Sequence, residues 1–207
     1  MIVIIDYEMG NVGSIQNMLK KVGYDSIITS NKQKICDAHK IILPGIGAFD
    51  TGMEQLGSKG LHETLNRRVL EAGVPVLGVC LGMQLITKNS EEGTLPGLGW
   101  VESQTRKFFF PNHPQLKIPH MGWNTIQYSE ENPCTLFRGM PAEARFYFVH
   151  SYYVRCDNQA DIVAETQYGH SFVSSFEREN IFGVQFHPEK SHRYGMIIYK
   201  NFAESKS

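Results

Sequence analysis

The sequence predicts an α/β fold: a doubly wound, mostly parallel central sheet with helices on both faces and an antiparallel β extension. Three observations carry this prediction. Short apolar runs alternate with helical patterns through the first half of the chain. Those runs are continuously apolar, as expected of strands covered on both faces. The second half is a succession of strand-like runs divided by turn signals. At 207 residues the chain is long enough for a single domain (1–207). Such a domain buries about 70% of the surface its unfolded form exposes, without a disulfide or structural metal. Apolar residues make up 42% and charged residues 20%, ordinary usage that excludes a disordered or fibrous chain. Twenty basic residues against 21 acidic ones leave a net charge of −1, which offers no electrostatic footprint for nucleic acid or an anionic membrane.

The elements follow in order. Residues 2–7 read as a buried strand. Asp6 interrupts it too early for a secretory leader, and no basic region or cleavage site accompanies it, so no leader is expected. Nor does any run approach the ~20 apolar residues of a membrane span. Val12, Ile15, Met18, Leu19 and Val22 recur at helical spacing until Gly23 stops them. Strands are predicted at 27–29 and 40–43, the latter halted by Pro44-Gly45, and helices at 50–56 and 61–72, the latter ending at Gly73. Residues 74–79 form a buried strand with Pro75 near its start, where a missing N–H is tolerated. Strand-like runs then cover 123–128, 146–155, 162–166, 171–177 and 181–186. Asn132-Pro133, Asp157-Asn158 and Tyr168-Gly169 are among the turn signals between them. A helix near 194–203 closes the order. The Phe108-Phe109-Phe110 cluster is expected to cap the core rather than to form a partner-binding patch.

Four cysteines, Cys36, Cys80, Cys134 and Cys156, form no CxxC pair, so free thiols and a cytoplasmic location are expected. Cys80 differs from the others in its setting. In Gly78-Val79-Cys80-Leu81-Gly82 it sits between a buried strand and a helical pattern, as the nucleophile of a strand–turn–helix elbow. The helix start places free N–H groups where a thiolate or developing oxyanion can use them. A thiol is only a few per cent ionised at pH 7 and needs a base beside it. His187, at the end of the 181–186 strand, can reach the same edge of a parallel sheet, and Glu189 can orient its imidazole. Leu43-Pro44-Gly45-Ile46-Gly47 also follows a strand, and its N–H groups can be aimed at a substrate oxygen. It lacks the length and lysine of a phosphate-binding loop. These residues by themselves are compatible with an amidase or with a cysteine peptidase on a similar scaffold.

With those segments the sequence resembles class I glutamine amidotransferases of the triad type, over nearly the whole chain. Pro119-His120-Met121-Gly122-Trp123-Asn124, Tyr147-Phe148-Val149-His150-Ser151-Tyr152 and Gln185-Phe186-His187-Pro188-Glu189-Lys190-Ser191 narrow the likeness. They are similar to the glutaminase-subunit family of imidazole glycerol phosphate synthase. The resemblance implies hydrolysis of L-glutamine by Cys80, His187 and Glu189, with no cofactor and no metal. It implies an oxyanion site at Leu81 with Gly45 or Ile46, and glutamine contacts from Gln84, Glu92, Ser151 and Tyr152. It also implies a heterodimer with a (βα)8-barrel cyclase that takes up the ammonia and makes imidazole glycerol phosphate and AICAR in histidine biosynthesis. Asn11, Trp123, Asn124, Tyr147 and Lys190 would lie at that interface, although core packing is an alternative for Trp123. Gly99-Trp100-Val101 and residues 191–196 are more similar to paralogues that feed ammonia to amidination of a surface-polysaccharide sugar.

Overall fold

The computed structural model describes residues 1–128 and 134–205; the Asn132-Pro133 turn signal lies outside them. The chain order is β1 (Ile2–Ile5), α1 (Val12–Lys21), β2 (Ser26–Thr29), α2 (Lys32–Cys36), β3 (Lys40–Leu43), α3 (Phe49–Ser58), α4 (Leu61–Asn66), β4 (Val76–Val79) and α5 (Leu81–Leu85). It continues with β5 (Ser103–Lys107), β6 (His120–Thr125), β7 (Gln127–Tyr128), β8 (Arg145–His150), β9 (Tyr152–Cys156), β10 (Ile162–Tyr168), β11 (His170–Arg178), β12 (Ile181–Val184) and α6 (His192–Glu204).

Among the described residues, the main sheet runs β2-β1-β3-β4-β12-β11-β10-β7. The pairs β2/β1, β1/β3, β3/β4 and β4/β12 are parallel, and every pair beyond β12 is antiparallel. The reason is visible in β1 and β3. Val3, Ile5, Ile41 and Leu43 enter one apolar core with α2, α3 and α4, while Ile2, Ile4 and Ile42 enter a second with α1 and α6. A strand covered on both sides has no polar face to alternate with, hence its unbroken apolar sequence. No helix among the described residues is long and apolar enough to cross a membrane.

Several expected boundaries shift. The helix predicted for 61–72 is α-helical to Asn66 and continues as a π-helical turn over Arg67–Glu71. The run 146–155 is two strands. β8 pairs with β6 in a separate two-stranded sheet, Ser151 turns the chain, and β9 crosses to the main sheet beside β5 and β11. The run 123–128 is likewise two strands, β6 beginning earlier at His120 and β7 pairing with β10. The phenylalanine cluster divides: Phe108 is buried and stacks on Tyr153 at 4.8 Å, Phe110 is half-buried, and Phe109 is 75% exposed.

Candidate active site

The site gathers where parallel strands end. Cys80 follows β4 with φ +53° and ψ −109°, a left-handed conformation that turns the chain directly into α5. Its N–H donates to the Val184 carbonyl at 2.8 Å, so the elbow is anchored to the end of β12. The flanking glycines are set by close approach. A Cβ on Gly82 would stand 1.9 Å from the Leu43 carbonyl oxygen, and one on Gly78 would meet the Gly82 carbonyl and the Met83 backbone at 2.8 Å. Leu81 opens α5, so its N–H has no acceptor within that helix.

β12 pairs with β4 in parallel, Val184 opposite Val79, which carries the following residues to the elbow. The His187 backbone is locked on both sides: its N–H donates to Tyr147 at 2.9 Å, and its carbonyl accepts from the Ser191 hydroxyl at 2.7 Å. Its Nδ1–H donates to Glu189 Oε1 at 2.8 Å, with the histidine and glutamate side chains 1% and 2% exposed. The Tyr199 hydroxyl donates to the other Glu189 oxygen at 3.5 Å. The buried His187 Nε2 has no well-formed hydrogen bond among the described residues and has the Cys80 sulfur as its interacting group. Burial works against a charge on this imidazole, but the Cys80 sulfur and the Glu189 carboxylate outweigh it and lift its pKa to about 10. A proton leaving Cys80 is therefore well held on His187. Burial foremost pushes the half-buried Cys134 and the buried Cys156 up to about 12.

A cavity of about 300 Å³ opens beside these groups, the lower end of the range for small-molecule sites. Cys80, Leu81, Gln84, Glu92, Ser151, Tyr152 and His187 line it, together with Ile46 and Gly47. Gly45 does not line the cavity. It packs on the elbow, where a Cβ would lie 2.6 Å from the Gly82 nitrogen, while the Tyr7 hydroxyl donates to the Pro44 carbonyl. Gln84 is buried and donates to the Tyr152 carbonyl and to Gln185 Oε1, each at 3.1 Å. Glu92 Oε2 accepts from the Phe49 N–H at 2.9 Å. Burial, with Asp50 nearby, raises the Glu92 pKa although the Phe49 bond opposes this.

Sequence reasoning passed over Gln185 and the His120–His150 pair. Gln185 Nε2 reaches the Cys80 sulfur at 3.8 Å, and its place two residues before His187 in an extended run was the available signal. His150 lines the cavity, and its Nδ1–H donates to the Tyr152 carbonyl at 2.7 Å. Its Nε2 therefore accepts from His120 Nδ1–H at 3.0 Å, and His120 Nε2 accepts from Asn124 at 3.3 Å. The series requires both rings neutral. Burial lowers His120 to about 4 and His150 to about 3. The unfolded chain takes up these protons from about pH 6.5, so stability should fall as pH drops from there towards 4. Each ring contributes up to about 1.4 kcal/mol per pH unit. Urea unfolding midpoints at pH 7, 6 and 5 test this; midpoints unchanged over that range would refute it.

Of the residues expected at an interface, Trp123 is 45% exposed, so it is not core. It stacks on His192 at 5.4 Å and meets the Tyr147 ring edge-on at 6.1 Å, while the Lys190 ammonium lies over Tyr147 at 5.6 Å. Asn11 is exposed at the start of α1, and Asn124 is half-buried, donating to His120 and to the Gln167 carbonyl. Met121 shares the outer face of β6 with Trp123 and is 62% exposed.

Comparison with known proteins gives a consistent result. The family model described as glutamine amidotransferase class-I matches residues 3–205. A Methanococcus maripaludis protein named imidazole glycerol phosphate synthase subunit HisH 2 is 51% identical over 98% of each chain. A Pseudomonas aeruginosa protein of the same name is 46% identical over 99% of each. Among solved structures, a glutamine amidotransferase aligns with a TM-score of 0.74 at 17% identity, covering 98% of this chain and 97% of its own. PurLQS from Thermotoga maritima aligns at 0.72 and 16%, covering 98% and 96%. At such identities these structures bear on the fold, while the family model and the relatives bear on ancestry. This chain belongs to the class-I glutamine amidotransferase family.

Proposed function

We propose that the chain is the glutaminase subunit of an imidazole glycerol phosphate synthase. It hydrolyses L-glutamine to L-glutamate and passes the ammonia to a (βα)8-barrel cyclase subunit in histidine biosynthesis. Relatives at 41–51% identity over nearly the full length carry that subunit's name, which favours histidine biosynthesis over the polysaccharide branch. The observation that supports the chemistry is that Cys80 and the His187 imidazole line one cavity and interact electrostatically, with His187 Nδ1 held by a buried carboxylate.

The Cys80 sulfur attacks the side-chain amide carbon of glutamine while His187 takes the thiol proton. The tetrahedral oxyanion is met by the Leu81 N–H and by the Ile46 N–H once its peptide turns inward, Ile46 being at the cavity wall and Gly45 packed behind it. His187 returns the proton to the departing nitrogen, ammonia leaves, and water hydrolyses the glutamyl thioester with His187 again as base. Glu92 pairs with the α-ammonium group of glutamine, and the backbone at Ser151 and Tyr152 holds its amino-acid end. Losing one oxyanion donor costs about 3–4 kcal/mol in such sites, enough to keep the lone subunit slow until docking completes the hole.

Glutamate release is the direct test, measured for the chain alone and mixed with a barrel cyclase subunit and its nucleotide ligand. Release is expected to rise on addition of both. Trp123→Ala should abolish most of that rise while lowering unfolding stability by only about 1–2 kcal/mol, the loss of its ring contacts with His192 and Tyr147. Stimulation equal to that of the parent would remove Trp123 from the docking face.

A further inference from the structure

The loop that carries Glu92 is fastened to the start of α3 from both directions. Ala48, at the N-cap of that helix, has no side chain able to cap it, and the Phe49 N–H instead donates to Glu92 Oε2 at 2.9 Å. In return Asp50, in the first turn, accepts from the loop. Thr94 N–H donates to its two oxygens at 3.1 and 2.9 Å, the Thr94 hydroxyl at 3.3 Å, and Leu95 N–H at 3.0 Å. A first-turn carboxylate is also favoured by the helix dipole.

Gly93 lies inside this clasp. A Cβ there would stand 1.9 Å from Asp50 Oδ1, so close approach to that carboxylate explains the glycine. On the other side of Glu92, the Glu91 N–H donates to the Thr105 carbonyl at 3.0 Å, and its carboxylate accepts from Lys107 N–H and Arg106, each at 2.7 Å. Glu92 is therefore held between two fastened neighbours, facing the cavity. Neither Glu92 nor Asp50 makes an ion pair with a lysine, arginine or histidine among the described residues. The half-buried Glu92 charge lacks a counter-ion that an ammonium group would supply.

We infer that Asp50 is a positioning residue for substrate binding: it clamps the 91–95 segment onto α3 and so fixes the Glu92 carboxylate where it receives the α-ammonium group of glutamine. This rests on the glutaminase reading above and on the role it gives Glu92. Asp50 does not line the cavity and acts through Glu92. Its loss should therefore weaken binding and leave turnover at Cys80 nearly intact.

Steady-state kinetics of the subunit in complex with its cyclase test this with Asp50→Asn, Glu92→Gln and the double variant. Asp50→Asn keeps the size of the side chain but replaces one accepting oxygen with a donor that faces loop N–H groups. It is expected to raise KM for L-glutamine about 10-fold with kcat within 3-fold of the parent. In the Glu92→Gln background it should add less than 2-fold, because the group it positions is already gone. Gly93→Ala, which drives a methyl into the same clasp, should raise KM likewise. It gives an independent reading if Asp50→Asn folds poorly. Unchanged KM in both clasp variants, a fall in kcat without a rise in KM, or effects of Asp50→Asn and Glu92→Gln that multiply would overturn the role of Asp50 alone. A Glu92→Gln KM equal to the parent's would overturn the ammonium assignment, and this inference with it.

Discussion

Cys80→Ala is expected to lower glutamine hydrolysis by at least about 10⁴-fold, because no other group can form the thioester and loss of a nucleophile leaves only binding and oxyanion effects. Cys80→Gly should be as inactive but more stable than the alanine variant, by about 1 kcal/mol. The reason is the backbone: at φ +53° and ψ −109° any side chain is strained, by roughly 1–3 kcal/mol, and glycine is not. The gain is partly offset by the roughly 0.5–1 kcal/mol of extra chain entropy that glycine loses on folding. Hydrolysis assays with urea unfolding of both variants check the pair of expectations. Residual activity above about 1% of the parent in Cys80→Ala would remove the sulfur from the mechanism.

Gly82→Ala is expected to be severely disruptive although it adds only one methyl. The clash is with the Leu43 carbonyl, 1.9 Å from the new Cβ, and the Pro44 carbonyl lies 3.1 Å away. Both are backbone, so no rotamer change relieves it; β3 and α5 must separate. Overpacking of ordinary cores costs about 1–3 kcal/mol, and a rigid backbone contact belongs at or beyond the upper end. The same displacement moves the Leu81 N–H and the Cys80 sulfur together, so glutaminase activity should fall at least about 10²-fold even in the fraction that folds. Wild-type stability in this variant would show that the elbow can be repacked.

Much of the α/β half was legible because its signals are local. The runs of β1, β3 and β4, the spacing of α1 and the glycines around Cys80 each reveal themselves within a few residues. β5 and α2 did not. Ser103 and Thr105 are buried in β5 although they are polar, because hydrogen bonds within the fold satisfy them: Ser103 to the Val101 carbonyl at 3.2 Å and Thr105 to Thr87 at 3.2 Å. No apolar alternation announces such a strand. α2 spans five residues under an Asn31 cap, too short for a period to emerge. The break at Ser151 was hidden for a different reason. β8 and β9 are each good strand sequence, and only their partners, β6 and β5, reveal that the chain changes sheets between them.

The candidate site divides along the same line. Cys80 in its elbow and His187 with Glu189 two residues on are local patterns, and the sequence alone singled them out. Their meeting depends on β12 lying against β4 with Val184 opposite Val79. The apolar strands in this sheet resemble one another, so periodicity does not say which pair or in what register. The same holds for the clasp of Asp50 on Thr94 and for the pairing of His120 with His150 at the pocket wall. Chain neighbours declare their geometry through spacing, whereas contacts across 40 or 100 residues are settled by the packing of both apolar faces of the sheet at once.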